Sequence, residues 1–337
     1  PVDAQDQVEM YDLESERPQS NEAKLREESV SLLHMLTHLP KNPLCPICMQ
    51  AKAQPPHQRA EANKGQHYWK RDPARDFVDE STCDHWIAAN DVSRGLFGET
   101  VALTMRDRAT NWLECRAMDG KTTGAVIKFL VNVKGPNEFI NYAWTDSAAE
   151  YANAFDRLGI ARDNTQTNNK RQNARAERAN RHVEEGIRCL LLAAGLPNPF
   201  WIYAACYFSL MSNVQIDSSG SSAWFKRHGI PFTWKLIPFG ARIQFIPRSP
   251  STLARLPKTG PKAIWGIFLE YYRYRGGRVK DDYFAMPLFD LEGINMHTGR
   301  VDEGKRVPII ERTSCLLYTS DAADDSLRVD LGGRRII

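Results

Sequence analysis

"STCDHWIAA", Ser81–Ala89, decides the fold. It has strand length, β-branched and aromatic residues, and one acid, Asp84, inside an otherwise strand-like run. Downstream, "VALTMRD" (101–107) and "NWLECRAM" (111–118) flank a tight polar turn and predict an antiparallel hairpin. "TTGAVIKFLVNV" (122–133) has helical spacing, "NEFINYAWTD" (137–146) reads as a strand, and "SAAEYANAFDRLG" (147–159) as a helix. The apolar-poor "ARDNTQTNNKRQ" (161–172) predicts a loop before a long helix from about Asn173 to Ala194. A second helix, "PFWIYAACYFSLMSNV" (199–214), follows. Three antiparallel strands, a helix, a strand and further helices make an α/β layer around a mixed sheet, placed at 81–216.

Upstream, "HMLTHLPKNPLCPICMQAK" (34–52) brings two histidines and two cysteines together. His34 and His38 are four apart and share one face if Asn21–Leu39 is a single helix, with Asn21 as its cap and Leu25, Leu32, Leu33 and Leu36 as its apolar stripe. Pro40 and Pro43 turn the chain, and Cys45-Pro46-Ile47-Cys48 aims both sulfurs at one point. Two imidazoles and two thiolates complete a closed tetrahedral Zn²⁺ site with no open position for chemistry. The zinc-binding module is thus expected at 21–52, with a structural role. A redox pair or a fortuitous CxxC is the alternative.

Charge is unevenly spread. Residues 1–30 hold nine acids against three bases, so 1–20 reads as an acidic, disordered lead-in. Residues 53–80, polar and proline-containing, read as a linker. Residues 224–280 hold twelve Lys/Arg and the single acid Glu270, interleaved with aromatics. That balance suits a nucleic-acid backbone, with aromatics inside and bases outside. Within 221–292, "ARIQFIP", "AIWGIFLEYYRY" and "RVKDDYFAMPLF" suggest a small basic β-barrel, its last two strands joined at Gly276-Gly277. Arg273, Arg275, Arg278 and Lys280 crowd that hairpin.

Residues 293–314 are expected to form a tail. Cys315–Ile337 has the look of a translated sequencing-library adapter and is set aside as an artefact. Pro1 in place of Met suggests a piece of a longer product. No run of eighteen apolar residues exists, so no membrane span is expected. The seven cysteines show no disulfide framework, which points to an intracellular setting.

Three acids occupy telling places: Asp84 in the first strand, Asp146 after the strand ending Trp144-Thr145, and Glu177 early in the long helix. Acids on two adjacent central strands and a facing helix can converge on divalent cations, which relieve the repulsion of like charges. Two Mg²⁺ or Mn²⁺ ions so held suit phosphodiester displacement.

A His-His-Cys-Cys module, then "TCDH", "RDRATNW", "WTDSAAE" and "AERANR", then "IPFG" and "GIFLEYY", resembles the integrase region of a copia-type retrotransposon Pol polyprotein. The resemblance runs in order from about His34 to Asp290. It implies a ribonuclease-H-like integrase core with a mixed five-stranded sheet, preceded by a small zinc-binding helical module and followed by a small β-barrel-like domain. It also implies catalysis by Asp84, Asp146 and Glu177, with Asp107 and Asp91 as runners-up for the first acid. The expected function is DNA 3′-end processing and strand transfer. DNA ends and target DNA would be the partners, with a homo-oligomer on DNA and the rest of the Pol polyprotein, in a virus-like particle and the nucleus.

Lys170, Arg171, Arg175, Arg178 and Arg181 make the glutamate helix and the loop before it a candidate phosphate track. This chain departs from the family pattern at Ser147-Ala148, at Asn173-Ala174-Arg175-Ala176 and in a shortened interval between the second and third acids. Two other readings therefore stay open: a catalytically inactive nucleic-acid-binding remnant, and a ribonuclease-H-like nuclease that cuts without joining.

Overall fold

The computed structural model describes residues 21–53, 74–88, 90–164, 170–295, 308–314 and 316–317, without the side chains of 91, 170–174 and 317. The acidic lead-in and most of the expected linker lie outside the described residues.

The first sheet holds β1 (Ser81–Ile87), β2 (Val101–Asp107), β3 (Leu113–Met118), β4 (Tyr142–Thr145) and β5 (Ala161–Asn164), in the order β3-β2-β1-β4-β5. The first three are antiparallel neighbours, and β4 and β5 join in parallel. This is the mixed five-stranded α/β sheet expected. Its strands are shorter than predicted at β4, and β5 falls in the segment read as a loop. "ARDN" offers no apolar face because β5 is an edge strand that pairs through backbone alone and is mostly exposed.

Alternation along β1 sends Ser81, Cys83 and His85 to one face and Thr82, Asp84 and Trp86 to the other. On the first face Cys83, Leu103 and Met105 pack under α4 (Thr123–Val133) and α5 (Ala149–Leu158), through Phe129, Leu130, Tyr151 and Phe155. Thr122 caps α4, its hydroxyl accepting from the Ala125 N–H. On the second face lie α6 (Lys170–Ala194) and α7 (Trp201–Val214). Gly186 of α6 permits their close approach: a Cβ there would stand 2.2 Å from the Phe208 ring of α7.

Ahead of the sheet, α1 (Asn21–Val30), α2 (Leu32–Thr37) and α3 (Pro46–Ala51) form the small helical module. The single helix expected over 21–39 is broken at Ser31, whose hydroxyl accepts from the His34 N–H and starts α2 afresh. The predicted stripe is only partly buried: Leu36 is sealed, whereas Leu33 is 69% exposed.

After α8 (Ala223–His228), strands β6 (Arg242–Phe245), β7 (Ile264–Arg273), β8 (Val279–Pro287), β9 (Glu311–Thr313) and β10 (Leu316–Leu317) form a second sheet, with α9 (Pro250–Leu253) between β6 and β7. Its order, β10-β6-β7-β8-β9, is open rather than closed as a barrel. It also extends past residue 292. Glu311–Thr313, expected in a tail, pair with β8, and Leu316–Leu317, from the segment set aside as artefact, pair with β6. Phe245, Phe268 and Tyr271 of this sheet share one core with Trp112, Leu113, Val183, Leu190, Phe208 and Met211. No helix among the described residues is long and apolar enough to cross a membrane.

Candidate metal centres and nucleic-acid face

His34 sits within α2, His38 is its C-cap in a left-handed conformation (φ 52°), Cys45 is the N-cap of α3 and Cys48 lies in its first turn. The two histidines thus do not share one helical face, as expected from their spacing; the chain leaves the helix between them. They reach the cysteines through different nitrogens. His34 Nε2 stands 3.4 Å from Cys48 Sγ, and His38 Nδ1 stands 3.6 and 3.8 Å from the sulfurs of Cys45 and Cys48. All four ligand atoms lie within 4.8 Å of one another, and all four residues are buried.

Tetrahedral zinc, with Zn–S near ~2.3 Å and Zn–N near ~2.0 Å, separates sulfur from nitrogen by roughly 3.5 Å, so these residues fit that ion. Burial lowers the His34 pKa, with Glu28 opposing and Lys52 assisting, which keeps the ring in the neutral form that ligates. Burial raises the Cys48 pKa, a cost that a bound cation reverses.

The module is tied to the rest of the protein. The Lys52 ammonium donates to the His38 carbonyl at 2.7 Å, and the Gln215 amide, just past α7, donates to the Leu39 carbonyl at 3.0 Å.

Across the sheet, Asp84 stands half-buried at the middle of β1. β4 runs parallel to β1 at Ser81↔Ala143 and Thr82↔Trp144, and Asp146, the residue just past β4, is near enough to act on the Asp84 charge. On α6 the Asn180 amide donates to Asp84 Oδ2 at 3.0 Å and to the His85 carbonyl at 3.4 Å. Asn180 lies three residues after Glu177, so one helix face presents both. Burial raises the Asp84 pKa to about 6, Asp146 adds to it, and Glu177 adds less. The three acids therefore share an electrostatic neighbourhood. They do not close into a ligand set: among the described residues, His34, His38, Cys45 and Cys48 form the only such group. Asp146 is also engaged locally, its Oδ1 accepting from the Ala148 N–H at 3.0 Å.

The runners-up separate from this site. Asp107 is fully used in holding its own loop: it accepts from Val78 N–H at 2.8 Å and from the Thr110 N–H and hydroxyl, each at 2.7 Å. The side chain of Asp91 lies outside the described residues. Asn180 was not singled out from sequence; its spacing from Glu177 was the available signal.

One solved structure that matches part of the chain is the catalytic core domain of BIV integrase. It matches with 12% sequence identity and a TM-score of 0.33, over 43% of this chain and 90% of that chain. No protein-family profile and no curated protein matches the chain.

Of the basic residues expected to grip nucleic acid, Arg175, Arg178 and Arg181 are exposed on α6, while the side chains of Lys170 and Arg171 lie outside the described residues. Arg275, Arg278 and Lys280 are exposed beside the Gly276-Gly277 turn. The turn itself is packed inward, since a Cβ at Gly277 would stand 2.6 Å from Trp112. Arg273 must be removed from the set. It is buried and pairs with Glu114 at 2.7 Å, because β7 faces β3 at this point.

Proposed function

We propose that this protein is a DNA-integrating polynucleotidyl transferase that processes DNA 3′ ends and transfers them into target DNA, acting inside the cell on element DNA and then in the nucleus. The observation that carries the reading is Asp84 at the sheet's centre, with Asp146 just past the parallel neighbour β4 and near enough to act on its charge, and Asn180 of the Glu177 helix bonded to it. Carboxylate oxygens are the donors that Mg²⁺ or Mn²⁺ prefers, and their mutual repulsion at Asp84 is what a divalent cation would relieve, so the donor chemistry fits. When bound, such ions activate an attacking oxygen and stabilise a leaving one.

In this reading Asp84 from β1, Asp146 just after β4, and Glu177 from the helix supply the negative charge. Asn180 fixes the Asp84 rotamer, and the exposed bases of α6 and the β7–β8 turn hold phosphates. Water first attacks the scissile phosphorus and the P–O3′ bond breaks, so the retained strand ends in a 3′ hydroxyl and the terminal fragment departs with a 5′ phosphate. That hydroxyl then attacks a target phosphodiester, forming one P–O bond as another breaks. Zn²⁺ at His34, His38, Cys45 and Cys48 would be structural, and a homo-oligomer on DNA is proposed because each element end needs its own active site.

Glu177→Gln tests the assignment: strand transfer on element-end DNA should fall by orders of magnitude, with DNA binding within a few-fold of wild type. Equal activity in variant and wild type would refute the triad. A second reading, a DNA-binding remnant without chemistry, is favoured by the open spacing of the three acids. It predicts binding with no metal-dependent cleavage or joining. Cleavage without joining would instead identify a ribonuclease-H-like nuclease.

A further inference from the structure

Beside the acids, toward the start of β1, a cleft of about 570 Å³ opens between the β1 start, the β2 end and α6. Four arginines line it: Arg106 from β2, Arg108 from the turn after it, and Arg175 and Arg178 from the helix. Thr82 and Asn111 add polar walls.

Its two acids are already engaged. Glu80 forms an ion pair with Arg108 and accepts from Trp144 Nε1 at 3.1 Å. Asp107 is consumed by Val78 and Thr110. Arg106 is different: it is half-buried, and no carboxylate forms an ion pair with it among the described residues. Burial alone acts on its guanidinium, which it pushes below the ordinary value. A desolvated arginine on a cleft wall without an anion is costly unless a ligand supplies one. A planar guanidinium fork is matched to phosphate oxygens.

We propose that this cleft is a phosphate-binding subsite. It holds a backbone phosphate of the DNA strand whose neighbouring phosphodiester lies at Asp84, with Arg106 as its half-buried anchor and Arg175 at its exposed rim. The proposal rests on the DNA-acting reading above. The geometry suits it, because Thr82 on the cleft wall and Asp84 share one face of β1, and Arg178 adjoins Glu177 on α6. A strand leaving the acids along β1 passes into the cleft. The acids take part in the reaction and the cleft sets the register of the strand, which separates chemistry from positioning.

The test uses the full chain and a fluorescein-labelled DNA duplex, with affinity measured across a salt series. Arg106→Gln combined with Arg175→Gln should lower the slope of log affinity against log salt by about one, the loss of one phosphate contact. Arg106→Lys should restore most of it. Arg157→Gln, exposed on α5 across the sheet, is the control and should leave the slope unchanged. Unfolding midpoints are recorded for every variant, and Arg175→Gln alone serves if Arg106→Gln does not fold.

A slope equal to wild type in the paired variant overturns the subsite and leaves the functional reading standing. An equal drop in the Arg157 control also overturns it, since the effect would then be one of net charge. Folded wild-type protein that binds no DNA at low salt overturns the functional reading itself, and the subsite with it.

Discussion

Glu114 of β3 and Arg273 of β7 meet at 2.7 Å with both side chains sealed from solvent, and so join the two sheets through a buried charge pair. Arg116 adds a second bond to Glu114 at 2.8 Å, and Trp112 Nε1 a third at 3.4 Å. Burial would raise the Glu114 pKa, but Arg273 and Arg116 outweigh it and hold the carboxyl below its ordinary range. Nearby Glu270 has fewer compensations, and burial pushes it up to about 7 despite Arg273 and Arg116.

Removing one partner of such a pair leaves a charge stranded in the core. Arg273→Met should therefore cost about 3–5 kcal/mol in urea unfolding. Arg275→Gln with Arg278→Gln, both at exposed positions, should leave the unfolding midpoint in place and flatten the salt dependence of DNA binding. A loss below about 1 kcal/mol for Arg273→Met would show that the pair does not hold the sheets together.

Asp84 gives a prediction with a definite sign in pH. Its carboxyl ionises near pH 6 in the folded protein against an ordinary 3.8, so the folded state disfavours the charge. Stability from this group is fully present below about pH 4 and is lost as pH rises through about 6. Asp84→Asn cannot ionise and keeps an acceptor for the Asn180 amide. Its advantage over wild type should be near zero at the acid end and grow to a plateau above the folded pKa. Two pKa units set an upper bound near ~3 kcal/mol, and partial exposure reduces the expectation to about 1–2 kcal/mol. Denaturation at both ends of the range checks it; a constant difference between the proteins would contradict it.

Much of this was legible because hydrophobic period and turn residues are local signals. The helical spacing of "TTGAVIKFLVNV" placed α4, and the strand-like run around Asp84 placed β1. What escaped depends on partners distant in sequence. β5 carries no apolar alternation, since an edge strand is held by the backbone of β4. Arg273 reads as one more base in a basic stretch until Glu114, far away in sequence, is seen to face it. Asp84 could be singled out as an acid in a central strand. That Asn180 touches it required the helix to be laid across the sheet. The His-Cys spacing announced the ligands but not that His38 lies outside the helix.

Asp107 should behave as a structural residue. Its carboxylate pins Val78, whose φ of 66° is unusual for a β-branched side chain, and the Thr110 turn. Asp107→Ala leaves buried donors without an acceptor and should cost at least about 2 kcal/mol. Asp107→Asn, which keeps one acceptor oxygen, should cost less and retain metal-dependent activity that Asp84→Asn lacks. Activity lost in both asparagine variants, with stability intact in both, would return Asp107 to the list of catalytic acids.

The His34-His38-Cys45-Cys48 cluster makes the last prediction, and it concerns the whole protein as well as the module. Purified protein should carry about one Zn²⁺ per chain, and metal content should fall in Cys48→Ser. That replacement removes a thiolate facing both histidines, at 3.4 and 3.8 Å. Without the ion, four buried polar groups lose the partner that offsets their desolvation, and α1, which buries no residue, adds little packing to α2 and α3. Loosening should spread to α7 through the Gln215 bonds to Thr37 and Leu39. A chelator should therefore lower the thermal midpoint of the full chain, expose Cys45 and Cys48 to thiol reagents, and raise amide exchange around Gln215. Because metal uptake displaces the Cys48 proton, zinc affinity should weaken as pH falls, and protein prepared at acidic pH should lose metal first. Unchanged thiol reactivity and an unchanged midpoint after chelation, in protein confirmed to be metal-free, would mean that the cluster folds without zinc.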